Sequence, residues 1–445
     1  MNKPIIKNLT RLKNHGAISM HVPGHKNMTI GNLKKLNLAL DMTEITGLDD
    51  MHHPEEIILE SMEKFKKYDD YDVYFLVNGT TSGILTVIQA FSEGNSKYLI
   101  SRNVHKSVFH GLDLTKQQAK ITSMQVSRYT HQYVEPLLNN DFDEEFKLGI
   151  CTYPNYYGET FEVDKWIETL HDRNIPVLVD EAHGAHFDLE GFPRSSMKYN
   201  ADYVVQSYHK TLPALTMGSV LFIHKEAPRK DQVIEYLTYF QTSSPSYLIM
   251  SSLELAQEFF EEFKSNIFFE KRSKLIETLL KKGFNLHEPA DPLKIVINYD
   301  GFEGYEVQEW FENEDIYIEL ADEFQILLVL PLWHKNDIYP FKVLIEKIEN
   351  MIIPERKKIN SKVSPLMTKS SDYSASYFQK IKEVSIEDAE GEILAQHIVP
   401  YPPGIPILFK GEVVTRHMIE LFKDYASKGL KVEGLSNKKI IVKDE

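Results

Sequence analysis

The chain has 445 residues, 42% hydrophobic and 26% charged, with a formal net charge of −15. That length asks for two or three domains, and that charge disfavours a nucleic-acid backbone as partner while suiting small cationic substrates. A single cysteine, Cys151, excludes an internal disulfide framework, no run approaches a membrane span, and the polar start MNKPIIKNLTRLKNHG is no secretory signal, so a cytoplasmic protein is expected.

Residues 1–20 predict a short amphipathic helix with Ile5, Leu9 and Leu12 on one side. His21-Val-Pro-Gly-His25-Lys26 follows, and Pro-Gly forces a turn. His21 and His25 lack a neighbouring acid or cysteine to complete a metal-ligand set, so no metal is expected. Residues 41–52 form a polar, acidic loop carrying Glu44, Asp49 and Asp50. A helix over 55–67 has early acids and late lysines, which complement its dipole.

Val73 to Val77 reads as a strand, followed by Asn78-Gly79-Thr80-Thr81-Ser82-Gly83 and an apolar helix from Ile84 to Phe91. A strand, a Gly-rich turn and a helix start make either a phosphate cradle or a plain strand–helix turn, and the Walker ending is absent. Further strands are predicted at 97–101, 146–152, 175–180, 202–207 and 219–223, alternating with helices. That alternation implies a mostly parallel sheet covered on both faces. His105, in Arg102-Asn-Val-His105-Lys-Ser107, is placed to lie on an aromatic cofactor or simply to cap the next helix.

Residues 247–282 predict one long helix leading to a smaller α+β domain, with strands at 293–299, 316–320 and 325–330 and a helix from Tyr339 to Ile353. Residues 354–375 read as a linker, 376–398 contain a helix-like stretch, Pro400 to Pro406 is a stiff extended segment, and 413–432 is a helix.

Two strand ends carry the chemistry. Asp180 closes the run Ile175-Pro-Val-Leu-Val-Asp180, and Lys210 lies just past the 202–207 strand in Ser207-Tyr-His209-Lys210. The carboxyl edge of an open α/β sheet is where ligands sit. A lysine and an aspartate there suit pyridoxal 5'-phosphate (PLP): the amine forms a Schiff base, and the carboxylate keeps a proton on the pyridine nitrogen.

Taken together, HVPGHK (21–26), TEITGLDDMHHP (43–54), NGTTSG (78–83), RNVHKS (102–107), DEAHGAH (180–186), SYHKTLPALT (207–216), QTSSPSY (241–247), EDAEGEI (387–393) and PYPPGIP with Gly411-Glu412 resemble the short-form ornithine/lysine/arginine decarboxylases. The resemblance runs in the family's order over nearly the whole chain. It implies an α/β fold: a fold-type-I PLP-dependent transferase large domain plus smaller α+β C-terminal domains. The expected divisions are an N-terminal arm and substrate-facing loop (1–45), a PLP-binding domain (46–260), a small domain (261–360) and a family C-terminal domain (361–445).

The resemblance also assigns residues. Lys210 is similar to the Schiff-base lysine, Asp180 to the partner of the pyridine nitrogen, His183 to the histidine beside the ring, and His105 to the group stacked on it. Thr80, Thr81, Ser82, Ser207 and His209 resemble the phosphate set, with Ser243 reaching in from a second subunit of a homodimer. Lys210 and His209 are the candidates for returning a proton to the substrate's Cα. Glu412 resembles the acid for the substrate's distal cation, with Glu44 and Asp49 next in line. The implied reaction removes CO2 from arginine, lysine or ornithine to leave agmatine or a diamine.

Met28, Asn155, Met217 and Lys410 depart from the family pattern and bear on substrate choice more than on chemistry. The alternatives are an aminotransferase or lyase on the same fold, or a non-catalytic relative. The absence of arginine from 292–353 counts against a typical aminotransferase, and the intact Lys210/Asp180 pair counts against a non-catalytic protein.

Overall fold

Branched and aromatic runs build the centre of the molecule. The computed structural model describes residues 3–138, 144–355, 366–375, 378–400, 405–427 and 432–444. An eight-stranded sheet has the order Ser371–Ser374, Gln118–Ile121, Lys97–Ile100, Phe146–Thr152, Val177–Asp180, Tyr203–Gln206, Ser219–His224, Tyr71–Leu76. The five strands from Gln118–Ile121 to Tyr203–Gln206 pair parallel. Ser219–His224 runs antiparallel to both its neighbours, and Ser371–Ser374 is an antiparallel edge. Strands such as Val177–Asp180 and Tyr203–Gln206 are buried along their whole length, as a sheet covered on both faces requires. The fold class expected from sequence is the one observed.

Lys294–Asn298, Ile326–Val329, Asn285–His287 and Leu320–Ala321 form a separate antiparallel sheet. Ile18–Met20 pairs with Ile316–Ile318, so the chain just before HVPGHK is tied to this smaller unit. A third cluster of apolar side chains, around Leu394, Leu408, Met418 and Phe422, organises the C-terminal residues.

Several local expectations need correction. The predicted helix over 247–282 is two helices, Tyr247–Glu262 and Ser265–Lys281. Between them Phe263 takes an extended conformation (φ −62°, ψ 134°) and packs on Phe192 and Phe259. Part of the supposed linker, Ser371–Ser374, is the edge strand of the large sheet, where Tyr373 buries its ring on Phe109. The helix-like stretch after 376 is the strand Ile381–Ser385, paired with Lys439–Lys443. The late helix spans Arg416–Ser427, and residues 401–404 of the proline-rich segment lie outside the described residues. No described helix is long and apolar enough to cross a membrane.

Candidate active site

Six strands of the large sheet deliver their carboxyl ends to one edge: the five parallel ones and Tyr71–Leu76. After Tyr71–Leu76 the chain turns through Gly79, whose φ of 77° lies in the region that favours glycine, and starts the helix Thr80–Ala90. Gly83 lets that helix lie close on the sheet: a Cβ there would sit 2.8 Å from Leu76 Cδ1. The helix start is thereby fixed beside the neighbouring strand end, and Thr80 Oγ1 is 3.2 Å from Ser207 Oγ. Thr81 is exposed, while Ser82 turns its hydroxyl back to the Gly79 carbonyl (2.8 Å), a local turn contact.

Asp180 ends its strand buried, and its Oδ1 accepts the Ala182 N–H at 3.2 Å. Burial raises the Asp180 carboxyl above its ordinary value, and the Lys210 charge and the Ala182 amide work against that. Lys210 lies in the short helix Tyr208–Thr211. Burial lowers its amine below the usual lysine range, opposed by Asp180 and then Glu319. Its Nζ is 3.3 Å from His183 Nε2. His183 is held well below its usual value by burial and then by Lys210.

His105 caps the helix Lys106–Thr115: its Nδ1 accepts the Ser107 N–H at 3.2 Å. Burial, then Lys210, lowers this imidazole to about 3. His209, lowered to about 4 mainly by burial, has Nδ1 3.1 Å from the Gly218 carbonyl. The edge therefore gathers a poised amine, a buried acid, three histidines of lowered basicity and two hydroxyls at a helix start.

The HVPGHK loop closes over this edge. Gly24 N–H donates to the His209 carbonyl (2.8 Å), and a Cβ on Gly24 would lie 2.4 Å from the Leu212 carbonyl oxygen, so only glycine permits the approach. Lys26 is buried and donates to the carbonyls of His21 and Val329 (2.8 Å to the latter). Burial, opposed by Glu319, lowers this amine to about 7.

Three residues near this edge were missed in the sequence. Tyr156 sets its ring edge-on to His183, with centroids 4.5 Å apart. Lys294, fully buried, donates to the Tyr156 carbonyl at 2.9 Å. Glu319 accepts from Val22 N–H (2.8 Å) and from the Tyr156 hydroxyl. The available signal was a charge inside a predicted apolar strand, LKIVINY for Lys294 and 316–320 for Glu319, because buried charges are rare without a purpose.

Other expected site residues are elsewhere. Asp49 accepts the backbone N–H groups of Asp50, Glu55, Glu56 and Ile58, and so caps the helix Ile57–Lys64. Glu44 accepts the Met51 N–H at 3.4 Å and lines an open cleft with Asp50, His52, Asp231, Glu235 and the exposed Ser243. Neither Lys210 nor Asp180 lines that cleft. Glu412 has a cation of its own: Arg102 Nη2 lies 2.9 Å from Oε1, and the Phe409 N–H donates to Oε2 at 2.9 Å.

The donor set fits PLP. His183 Nδ1 is buried with no partner among the described residues, as a group awaiting a polar ligand atom would be. Asp180 is a buried acid with only one amide partner, suited to a pyridinium N–H. Thr80 and Ser207 supply hydroxyls at a helix N-terminus, suited to a phosphate.

Comparison with known proteins agrees with this geometry. Residues 3–289 match the family model for the Orn/Lys/Arg decarboxylase major domain, and residues 355–438 match the model for its C-terminal domain. The chain is 37% identical to the uncharacterized protein YaaO of Bacillus subtilis (strain 168), over 98% of this chain and 96% of that one. It is 28% identical to an arginine decarboxylase of Halalkalibacterium halodurans, over 97% and 95%. Among solved structures it resembles lysine decarboxylase A of Pseudomonas aeruginosa with a TM-score of 0.72 and 15% identity, covering 91% of this chain and 74% of that one.

Proposed function

Because this chain belongs to the Orn/Lys/Arg decarboxylase family, we propose that it removes the α-carboxyl group of a basic amino acid, with arginine first among arginine, lysine and ornithine, using PLP held at the sheet edge around Lys210. The observation that carries the proposal is the Lys210 amine, lowered in basicity chiefly by desolvation and 3.3 Å from the buried His183. An amine must be neutral to attack a carbonyl carbon.

Asp180 is the group to hold a proton on the pyridine nitrogen, Thr80 and Ser207 the phosphate, and His105 and His183 the ring. When bound, PLP supplies the electron sink that lets the bond to CO2 break. The chain's own residues do the rest. The HVPGHK loop, fixed on the Lys210 helix through Gly24, shelters the edge from water. Lys210 Nζ carries the proton returned to the substrate, and the neutral His183 Nε2 beside it is the atom with which it exchanges. His209 is a poorer carrier, because its Nδ1 already faces the Gly218 carbonyl.

The same reading makes the chain a cytoplasmic homodimer with shared sites, in which Ser243 serves the neighbouring subunit's phosphate. It keeps the domain limits at 45, 260 and 360. The test is CO2 release from labelled arginine, lysine and ornithine by purified protein supplied with PLP. One of the three is expected to lose its carboxyl group, and Lys210→Ala to abolish the release. Keto-acid formation without CO2 would mean amino-group transfer instead.

A further inference from the structure

A basic amino acid carries a cation at its far end, and a selective site answers it with a fixed anion. This inference rests on the function proposed above. Within the chain, Glu412 is paired with Arg102, Asp49 is saturated by backbone amides, and Glu44 opens on the cleft of Ser243. Asp180 lies at the base of the site beside Lys210. A further carboxylate, Glu319, stands close enough to this edge for its charge to bear on Lys210.

Glu319 follows the strand Ile316–Ile318 and is half-buried. It is clamped from two sides, by Val22 N–H of the HVPGHK loop at 2.8 Å and by the Tyr156 hydroxyl. Tyr156 in turn packs edge-on against His183, 4.5 Å between centroids, and His183 Nε2 is 3.3 Å from Lys210 Nζ. One imidazole and one phenol ring lead from the reacting amine to the acid, and the Glu319 charge bears on that amine. Among the described residues Glu319 forms no ion pair, although its charge bears on Lys210, Lys26 and Lys294. It is thus an acid held in a fixed orientation, with no cation of its own in contact.

We propose that Glu319 receives the distal cation of the substrate, and that Tyr156 and Val22 hold its carboxylate in the receiving orientation. A purely structural Glu319 would instead be a bracket joining the HVPGHK loop, the turn after Phe146–Thr152 and the smaller sheet.

Steady-state kinetics of the PLP-loaded enzyme with its preferred basic amino acid separate the two. Glu319→Gln keeps an oxygen for Val22 N–H and removes the charge. KM is expected to rise about tenfold or more, with kcat within about threefold of the parent. The inhibition constant of the uncharged amino acid of the same length (citrulline for arginine, norleucine for lysine) should stay unchanged. Tyr156→Phe, which loosens the clamp but keeps the charge, should raise KM by less than Glu319→Gln does. An unchanged KM in Glu319→Gln, or equal losses for charged and uncharged ligands, overturns the assignment while leaving the decarboxylase reading intact. No CO2 from any basic amino acid with the parent enzyme overturns both.

Discussion

Glu412, expected to meet the distal cation of a substrate, already has a cation within the chain. It follows a stiff proline-rich segment, which suggested an acid held ready for substrate. The structure instead sets it on Arg102, whose side chain is 1% exposed, with Glu412 at 9%. Removing one partner of a buried pair strands the other's charge and typically costs about 3–5 kcal/mol. Glu412→Ala is therefore expected to lower the unfolding free energy by an amount of that order, read as a fall in the denaturant midpoint. A variant with parental stability and a raised KM would return Glu412 to the substrate. Met28, which departs from the family pattern, has a φ of 65°, the left-handed conformation that glycine adopts freely. The places of Lys210 and Asp180 at the sheet edge were legible because strand ends in a parallel sheet constrain position. Glu319 and Tyr156 were not, because their meaning comes from contacts between segments more than 160 residues apart.

Most strands of the large sheet were legible, since fully buried strands read as unbroken apolar runs, but Gln118–Ile121, with exposed Gln118 and half-buried Lys120, was not foreseen. Phe146–Thr152 has the expected limits, and Ser219–His224 extends them by one residue. The two-helix break at Phe263 was not legible. No proline or glycine marks it, and what ends the helix is a place for the Phe263 ring against Phe192. The edge strand Ser371–Ser374 was hidden for a similar reason. It is short and polar, and only the Gln118–Ile121 strand beside it makes it a strand. Asp49 lies in the segment predicted as an acidic loop, and there it accepts amides at the start of the helix Ile57–Lys64.

At the scale of the whole molecule, the site is built where the large sheet, the smaller sheet and the N-terminal loop converge, and it buries basic groups there. Lys26 is lowered to about 7 and Lys294 to about 8, and Lys210 is lowered as well, in each case chiefly by burial. In the unfolded chain these amines return to an ordinary value of 10.5. Between the folded and unfolded values the unfolded state binds more protons, so stability rises with pH across that window. For cofactor-free protein the urea midpoint is expected to climb between about pH 8 and pH 9.5, and to climb less steeply in Lys294→Met. Buried tyrosines such as Tyr133, raised mainly by burial, reverse the trend at higher pH. A midpoint that is flat over this window would mean that the lysines are not buried as described.

The proposed chemistry depends on one covalent anchor, Lys210, and one measurement reaches it directly. Protein purified with PLP is reduced with borohydride and digested, and the modified peptide is mapped by mass spectrometry. The pyridoxyl group should be on Lys210, with loss of the visible absorbance band, and Lys210→Ala should fold and carry no adduct. A pyridoxyl group on Lys26, Lys294 or any other lysine, with Lys210 unmodified, would contradict the site described here.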